Sequence, residues 1–114
     1  MLIKKTIMIH QNRRHKLTNY EILMIWDPSL DEKGVQDKIA NVKQWIENLG
    51  GAMTQSEDKG IDRLAYEIKK AMQGRFVYVL FTLDPLKIDS FRHELRLDEQ
   101  VWRYNIKKLA PAKA

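Results

Sequence analysis

The residues with most to offer chemically are the lysines and arginines, and their spacing suits binding a polyanion better than it suits catalysis. Residues 1–18 hold Lys4, Lys5, Arg13, Arg14 and Lys16 with no acid, and residues 101–114 hold Arg103, Lys107, Lys108 and Lys113 with no acid. Residues 19–100 keep eleven basic side chains against all fifteen acids, so a formal charge of +5 divides into a body at −4 and two basic ends. Local cation clusters attract phosphates. Solubilising tails are the plainer reading of the same residues.

Little else is spaced for bond-making. The chain has no cysteine, which removes disulfides, thiolate nucleophiles and Cys-based metal sites and fits a reducing compartment, the cytosol by default. His10, His15 and His93 form no pair at ligand spacing on one element, so no metal is expected. Asp27, Asp31 and Glu32 cluster, but a helix cap accounts for Glu32 and the helix dipole for Asp31, while Glu57-Asp58 and Asp98-Glu99 read as turns. A phosphate loop, a nucleophile elbow and a dinucleotide fingerprint are all missing. Acid/base and nucleophilic catalysis therefore have no distinctive support and no cofactor or small-molecule substrate is expected, while the absence of motifs alone leaves an enzyme or ligand sensor open.

Two runs organise the elements that carry these residues: Gly60 to Lys69, and Gly74 to Leu83. At a period of two, Leu64, Tyr66 and Ile68 fall on a core face and Arg63, Ala65 and Glu67 on an open one, whereas the second run is apolar on both faces. That reads as an edge strand hairpinned to an interior strand, with Lys69 and Lys70 at the tip. Ahead of it, residues 1–17 read as a basic extension with one short ordered patch at Ile7 to Ile9; a transit peptide would share the charge but needs more serine. Residues 20–26 form a strand with Tyr20, Ile22, Met24 and Trp26 on one face and Leu23 and Ile25 on the other.

Asp27-Pro28 ends that strand, and Ser29, three residues before Glu32, predicts a capping box opening a helix. Val35, Ile39, Val42, Ile46 and Leu49 form its stripe, Lys38 lies off it, and Gly50-Gly51 stop it. Residues 52–59 begin a long, irregular edge strand that runs through Ile68. Asp84-Pro85 opens a second helix striped by Ile88, Phe91 and Leu95, and the last strand points Trp102, Tyr104 and Ile106 inward and Arg103, Asn105 and Lys107 outward. No apolar run nears the roughly 20 residues a membrane span needs.

Strand, helix, strand, strand, helix, strand is an α+β pattern that favours a ferredoxin-like split βαβ sandwich: a four-stranded antiparallel sheet in the order 4-1-3-2, both helices on one face. One domain over 18–108 and a tail over 109–114 follow. The chain should enter and leave at one end, gathering its basic tails there. The face away from the helices should show Leu23, Ile25, Tyr78 and Leu80, rimmed by Arg63, Arg103 and Lys107, and such a patch marks a partner. Gly74-Arg75-Phe76-Val77-Tyr78-Val79 departs from the base-stacking strand of RNA-recognition motifs, which favours shape and phosphate recognition over stacking.

Gly60-x-x-Arg63-Leu64-Ala65-Tyr66-x-Ile68-Lys69 resembles the signature of the bacterial small-subunit ribosomal protein S6 family. The likeness also takes in Tyr20-Glu21, Asp27-Pro28-x-Leu30, Gly50-Gly51, Gln73-Gly74 and Glu94-Leu95-Arg96-Leu97-x-Glu99-x-Val101-x-Arg103, and runs to Lys108. It implies a structural constituent of the small ribosomal subunit, cytoplasmic or organellar, that binds the central domain of small-subunit rRNA together with ribosomal protein S18. On that reading Arg63, Lys69, Lys70, Arg96, Arg103 and Lys107, with Arg13 and Arg14, meet RNA, and Leu23, Ile25, Tyr78, Leu80, Ala65 and Glu67 meet the protein partner. Asp62 departs from the family, which usually has a basic residue there, and Arg13-Arg14 would compensate. The alternative is a small ligand-binding or regulatory domain that dimerises through its open face.

Overall fold

The computed structural model describes residues 17–109; the basic extension over 1–16 and the tail beyond Leu109 lie outside the described residues. Six elements follow in order: β1 (Thr18–Trp26), α1 (Glu32–Asn48), β2 (Ala52–Ile68), β3 (Ala71–Leu83), α2 (Ile88–Leu97, entered through a 3₁₀ turn at Pro85–Lys87) and β4 (Val101–Lys108). The strands pair antiparallel in the order β2-β3-β1-β4. This is the expected split βαβ sandwich. The two strands apolar on both faces, β1 and β3, hold the interior positions.

Alternation in β1 and β3 sends Tyr20, Ile22, Met24 and Trp26 with Val77, Val79, Phe81 and Leu83 to one face, where they meet Val35, Val42 and Ile46 of α1 and Phe91 and Leu95 of α2. Each such side chain contributes about 1.5–3 kcal/mol by leaving water. The Phe81 ring sits at the centre, 5.4 Å from Tyr20 and 5.1 Å from Phe91 between centroids. Asp84 caps the 3₁₀ turn by accepting from Leu86 N–H at 2.9 Å, with Pro85 at the first position as expected.

The first helix starts later than the capping box predicts. Asp31 is the cap, accepting from Gly34 N–H at 2.7 Å. Ser29 donates both its amide and its hydroxyl to Asp27 Oδ1, at 2.9 and 2.8 Å, so the Asx turn after β1 has already used its side chain. Glu32 becomes the first helical residue, where its charge complements the dipole.

Two further departures concern the core. Lys38 is buried rather than solvated: three residues after Val35 and four before Val42, it holds a position that the helical period allots to the stripe. Its Nζ lies 2.5 Å from Asp98 Oδ2, with side-chain exposures of 8% and 16%. Asp98 Oδ1 accepts from Gln100 N–H at 2.9 Å, and Gln100 O accepts from Asp27 N–H at 2.9 Å, so this ion pair ties α1 to the turns at both of its neighbours. In β4, pairing passes from Ile25–Arg103 to Trp26–Val101, leaving Trp102 as a bulged extra residue. Val101 therefore packs on the core, and Trp102 is half-buried outside it.

Because breaking a buried pair leaves one charge uncompensated, Asp98→Asn should cost about 3 kcal/mol. Urea denaturation measures this as a lower midpoint at unchanged slope. Asparagine keeps the oxygen that accepts from Gln100, so the loss reports the Lys38 pair.

Candidate functional site

The face of the sheet turned away from the helices is built by the other half of the same alternation. Leu23 and Ile25 of β1 stand opposite Tyr78 and Phe76 of β3, and Glu21 stands opposite Leu80. Leu23 is 39% exposed, while Ile25, Phe76, Tyr78 and Leu80 are half-buried. Leu23, Ile25, Tyr78 and Leu80 thus share one surface as expected. Phe76 belongs with them and was legible from the same period, two residues before Tyr78.

The rim differs from the expectation of a purely basic border. On the β4 side, Lys107, Asn105 and Arg103 stand opposite Glu21, Leu23 and Ile25. On the β2 side, Gln55, Glu57, Gly60 and Asp62 stand opposite Leu80, Tyr78, Phe76 and Gly74. Carboxylates of Glu21, Glu57 and Asp62 therefore mix with the cations. Tyr78 donates its hydroxyl to Glu21 Oε1 at 2.6 Å, and Lys59 Nζ lies 5.7 Å from the Tyr78 ring centroid and 3.5 Å from Glu57 Oε1. Glu21, Lys59, Asp62, Phe76 and Tyr78 line a depression of about 440 Å³. The Glu21 hydrogen bond, aided by burial and by the charges of Glu21 and Glu57, holds the Tyr78 hydroxyl above the ordinary tyrosine value.

Why β2 presents these residues follows from Gly60. The register slips between Asp58–Val77 and Gly60–Phe76, and Gly60 takes a φ of +87°, open to glycine but strained for other residues. Asp58 Oδ1 accepts from Gly60 N–H at 2.9 Å and Asp58 Oδ2 accepts from Arg75 Nη1 at 2.7 Å, so Glu57-Asp58 is a bulged strand segment, not a turn. Beyond the slip the faces differ from the simple alternation. Asp62 takes the open face opposite Gly74, and Arg63 takes the other, opposite Gln73, in a groove with Pro28, Ala71 and Met72.

Leu64 follows Asp62 to the open side. A Cβ on Gly74 would lie 2.5 Å from Ile25 Cγ2 and 3.2 Å from Leu64 Cδ2, so the glycine makes room for Leu64 beside Ile25. Leu64 and Ile68 are buried but stand apart from the helix-side core, and Tyr66, expected in the core, is 61% exposed. Pairing lapses between Arg63–Gln73 and Ile68–Ala71, so Ala65 and Glu67 project from an arm of the hairpin rather than joining the patch.

At the end of that arm, Lys69 and Lys70 form a two-residue turn with φ of 50° and 65°. Both central residues of such a tight turn adopt left-handed geometry, for which Asn-Gly is preferred. The hairpin tip, Arg63, Arg96 in the last turn of α2 and Arg103 all lie toward the end of the sheet where β1 finishes, and all are exposed. Lys107 is exposed at the opposite end. Residues 17 and 109 leave together there, since Leu109 N–H donates to Asn19 O at 2.8 Å. Arg13 and Arg14 lie outside the described residues.

A family profile described as Ribosomal protein S6 matches residues 19–108. The small ribosomal subunit protein bS6 of Geobacter sulfurreducens is 37% identical over 90 residues, covering 79% of this chain and 77% of that protein. That of Nocardia farcinica is 32% identical over 90 residues, covering 79% and 95%. Among solved structures, the 30S ribosomal protein S6 of Thermotoga maritima superposes with a TM-score of 0.76 at 25% identity, covering 82% of this chain and 89% of that one.

Two outcomes test this geometry. Glu21→Gln should lower the Tyr78 titration midpoint toward about 10, the ordinary phenol value, as read by tyrosinate signals. The sign is that the hydrogen bond favours the protonated phenol, so its stabilisation is present below the ordinary value and lost as pH rises past the raised one. Lys70→Gly should raise stability by about 1 kcal/mol by relieving left-handed strain, measured by thermal unfolding.

Proposed function

The chain belongs to the ribosomal protein S6 family, whose members are structural proteins of the small ribosomal subunit and not enzymes; from that premise we propose that it binds the central domain of small-subunit rRNA together with ribosomal protein S18 as the subunit assembles. The observation that carries the RNA half is the hairpin tip. Two adjacent lysines hold left-handed backbone that costs about 1–2 kcal/mol per residue, and strain of this kind persists where function uses it. A narrow arm ending in two cations suits insertion against a phosphate backbone, with Arg63, Arg96 and Arg103 behind it at the same end.

Lys107 belongs to a second contact at the end where the chain enters and leaves, shared with Arg13 and Arg14. The apolar face of Leu23, Ile25, Tyr78 and Leu80 suits the protein partner, and Ala65 and Glu67, set apart on the arm, would offer it a separate contact. Asp62 lies on that open face and Arg63 on the other, so the acid that departs from the family falls on the protein side of this division. Its cost to RNA binding is correspondingly small.

Binding of the full chain, with S18, to a central-domain rRNA fragment over a salt series tests the reading. The double variant K69Q/K70Q should reduce the slope of log K against log salt by roughly two, about one per lost phosphate contact. An unchanged slope removes the tip from the RNA interface. A chain that forms homodimers and never sediments with small subunits favours the regulatory-domain alternative.

A further inference from the structure

Tyr66 is the residue whose place the fold changes most. At a period of two it belongs with Leu64 and Ile68, yet those two are buried, at 7% and 3% exposure, while Tyr66 between them is 61% exposed. The register supplies the cause. β2 pairs with β3 at Arg63–Gln73 and next at Ile68–Ala71, so four residues, Leu64 to Glu67, stand opposite Met72 alone. A bulge of that size re-aims the side chains it carries. The Tyr66 ring is turned outward between two anchored neighbours, and its hydroxyl has no partner among the described residues.

A single exposed apolar residue needs no explanation, but this one has company. Met72, opposite the bulge, is 57% exposed. Arg63 lies just before the bulge and Lys69 and Lys70 just after it, all exposed and none in an ion pair among the described residues. From Arg63 to Gln73 the arm carries these three cations and one acid, Glu67, a balance that favours a polyanion. Arg63 and Lys69 start three residues to either side of Tyr66, each at most about 10 Å along an extended strand, so cations bracket the ring.

An exposed aromatic face set between unpaired cations suits an unstacked nucleotide, whose base lies on the ring while its flanking phosphates meet the charges. We propose that Tyr66 stacks on one unpaired base of the RNA, with Arg63, Lys69 and Lys70 holding the phosphates beside it. This rests on the RNA half of the function proposed above and adds a preference to it. Lysines at a tip meet any phosphate backbone, whereas a ring behind them selects a strand with a base free to stack.

The test uses the full chain with S18 and the central-domain rRNA fragment over a salt series. Y66A should bind about 5- to 150-fold more weakly, the worth of one base–aromatic stack. Its slope of log K against log salt should be unchanged, because stacking releases no counterion. Y66F keeps the ring and should bind as the unaltered chain does. Unchanged affinity in Y66A overturns the proposal, as does a slope that falls with the affinity, which makes the ring a support for the tip lysines. So does Y66F as weak as Y66A, which assigns the contact to the hydroxyl. Weaker pairing of Y66A with S18 in the absence of RNA also overturns it and gives the ring to the protein partner. If the unaltered chain leaves the fragment unbound, the RNA reading fails and the stack with it; if the chain binds and Y66A binds equally, only the stack fails.

Discussion

Two helices cover one face of a four-stranded sheet, and the other face has nothing in the described chain to cover it. The interior strands β1 and β3 must still be apolar along their helix side, and their high β propensity makes them apolar on the other side as well. Leu23, Ile25, Phe76, Tyr78 and Leu80 are the result. A surface built this way is mildly hydrophobic by construction. Its specificity must come from the polar groups around it, here Glu21 bonded to Tyr78, Lys59 over the same ring, and Asp62 and Lys107 at the margins.

Most of the fold was legible because it rests on periods. Strand order, both helices, the proline-entered second helix and the shared position of the termini follow from alternation and stripe. What was hidden is where a period breaks or where residue type disguises position. Lys38 occupies a core position of α1 that its charge conceals, and only Asp98, sixty residues away, makes that burial tolerable. Trp102 and Lys59 sit at bulges, where one extra residue changes the face of its neighbours. Gly60, with its positive φ, was the local signal for the second.

The candidate site was legible in composition more than in arrangement. The apolar patch assembled as its alternation required, whereas the cations did not converge. Arg63, Lys69, Lys70, Arg96 and Arg103 lie toward one end of the sheet and Lys107 at the other, about 14 Å from Arg103 along β4. Side chains on a strand of this length face the same direction without being neighbours. A sequence shows the first relation and only a register shows the second.

The signature residues divide by what they do. Gly60 shapes the bulge, Gly74 makes space for Leu64, and Leu64 closes the root of the hairpin arm beside Ile25. These are requirements of the backbone, and their presence explains why the arm forms despite a strand that pairs poorly between Arg63 and Ile68. Tyr66 and the two tip lysines satisfy no such requirement: the ring is exposed, and the lysines are strained where Asn-Gly would relax the turn. Residues that fold an arm and residues that an arm exists to present are thus interleaved between Gly60 and Gly74. Strain and exposure at the tip, set against burial at the root, tell them apart.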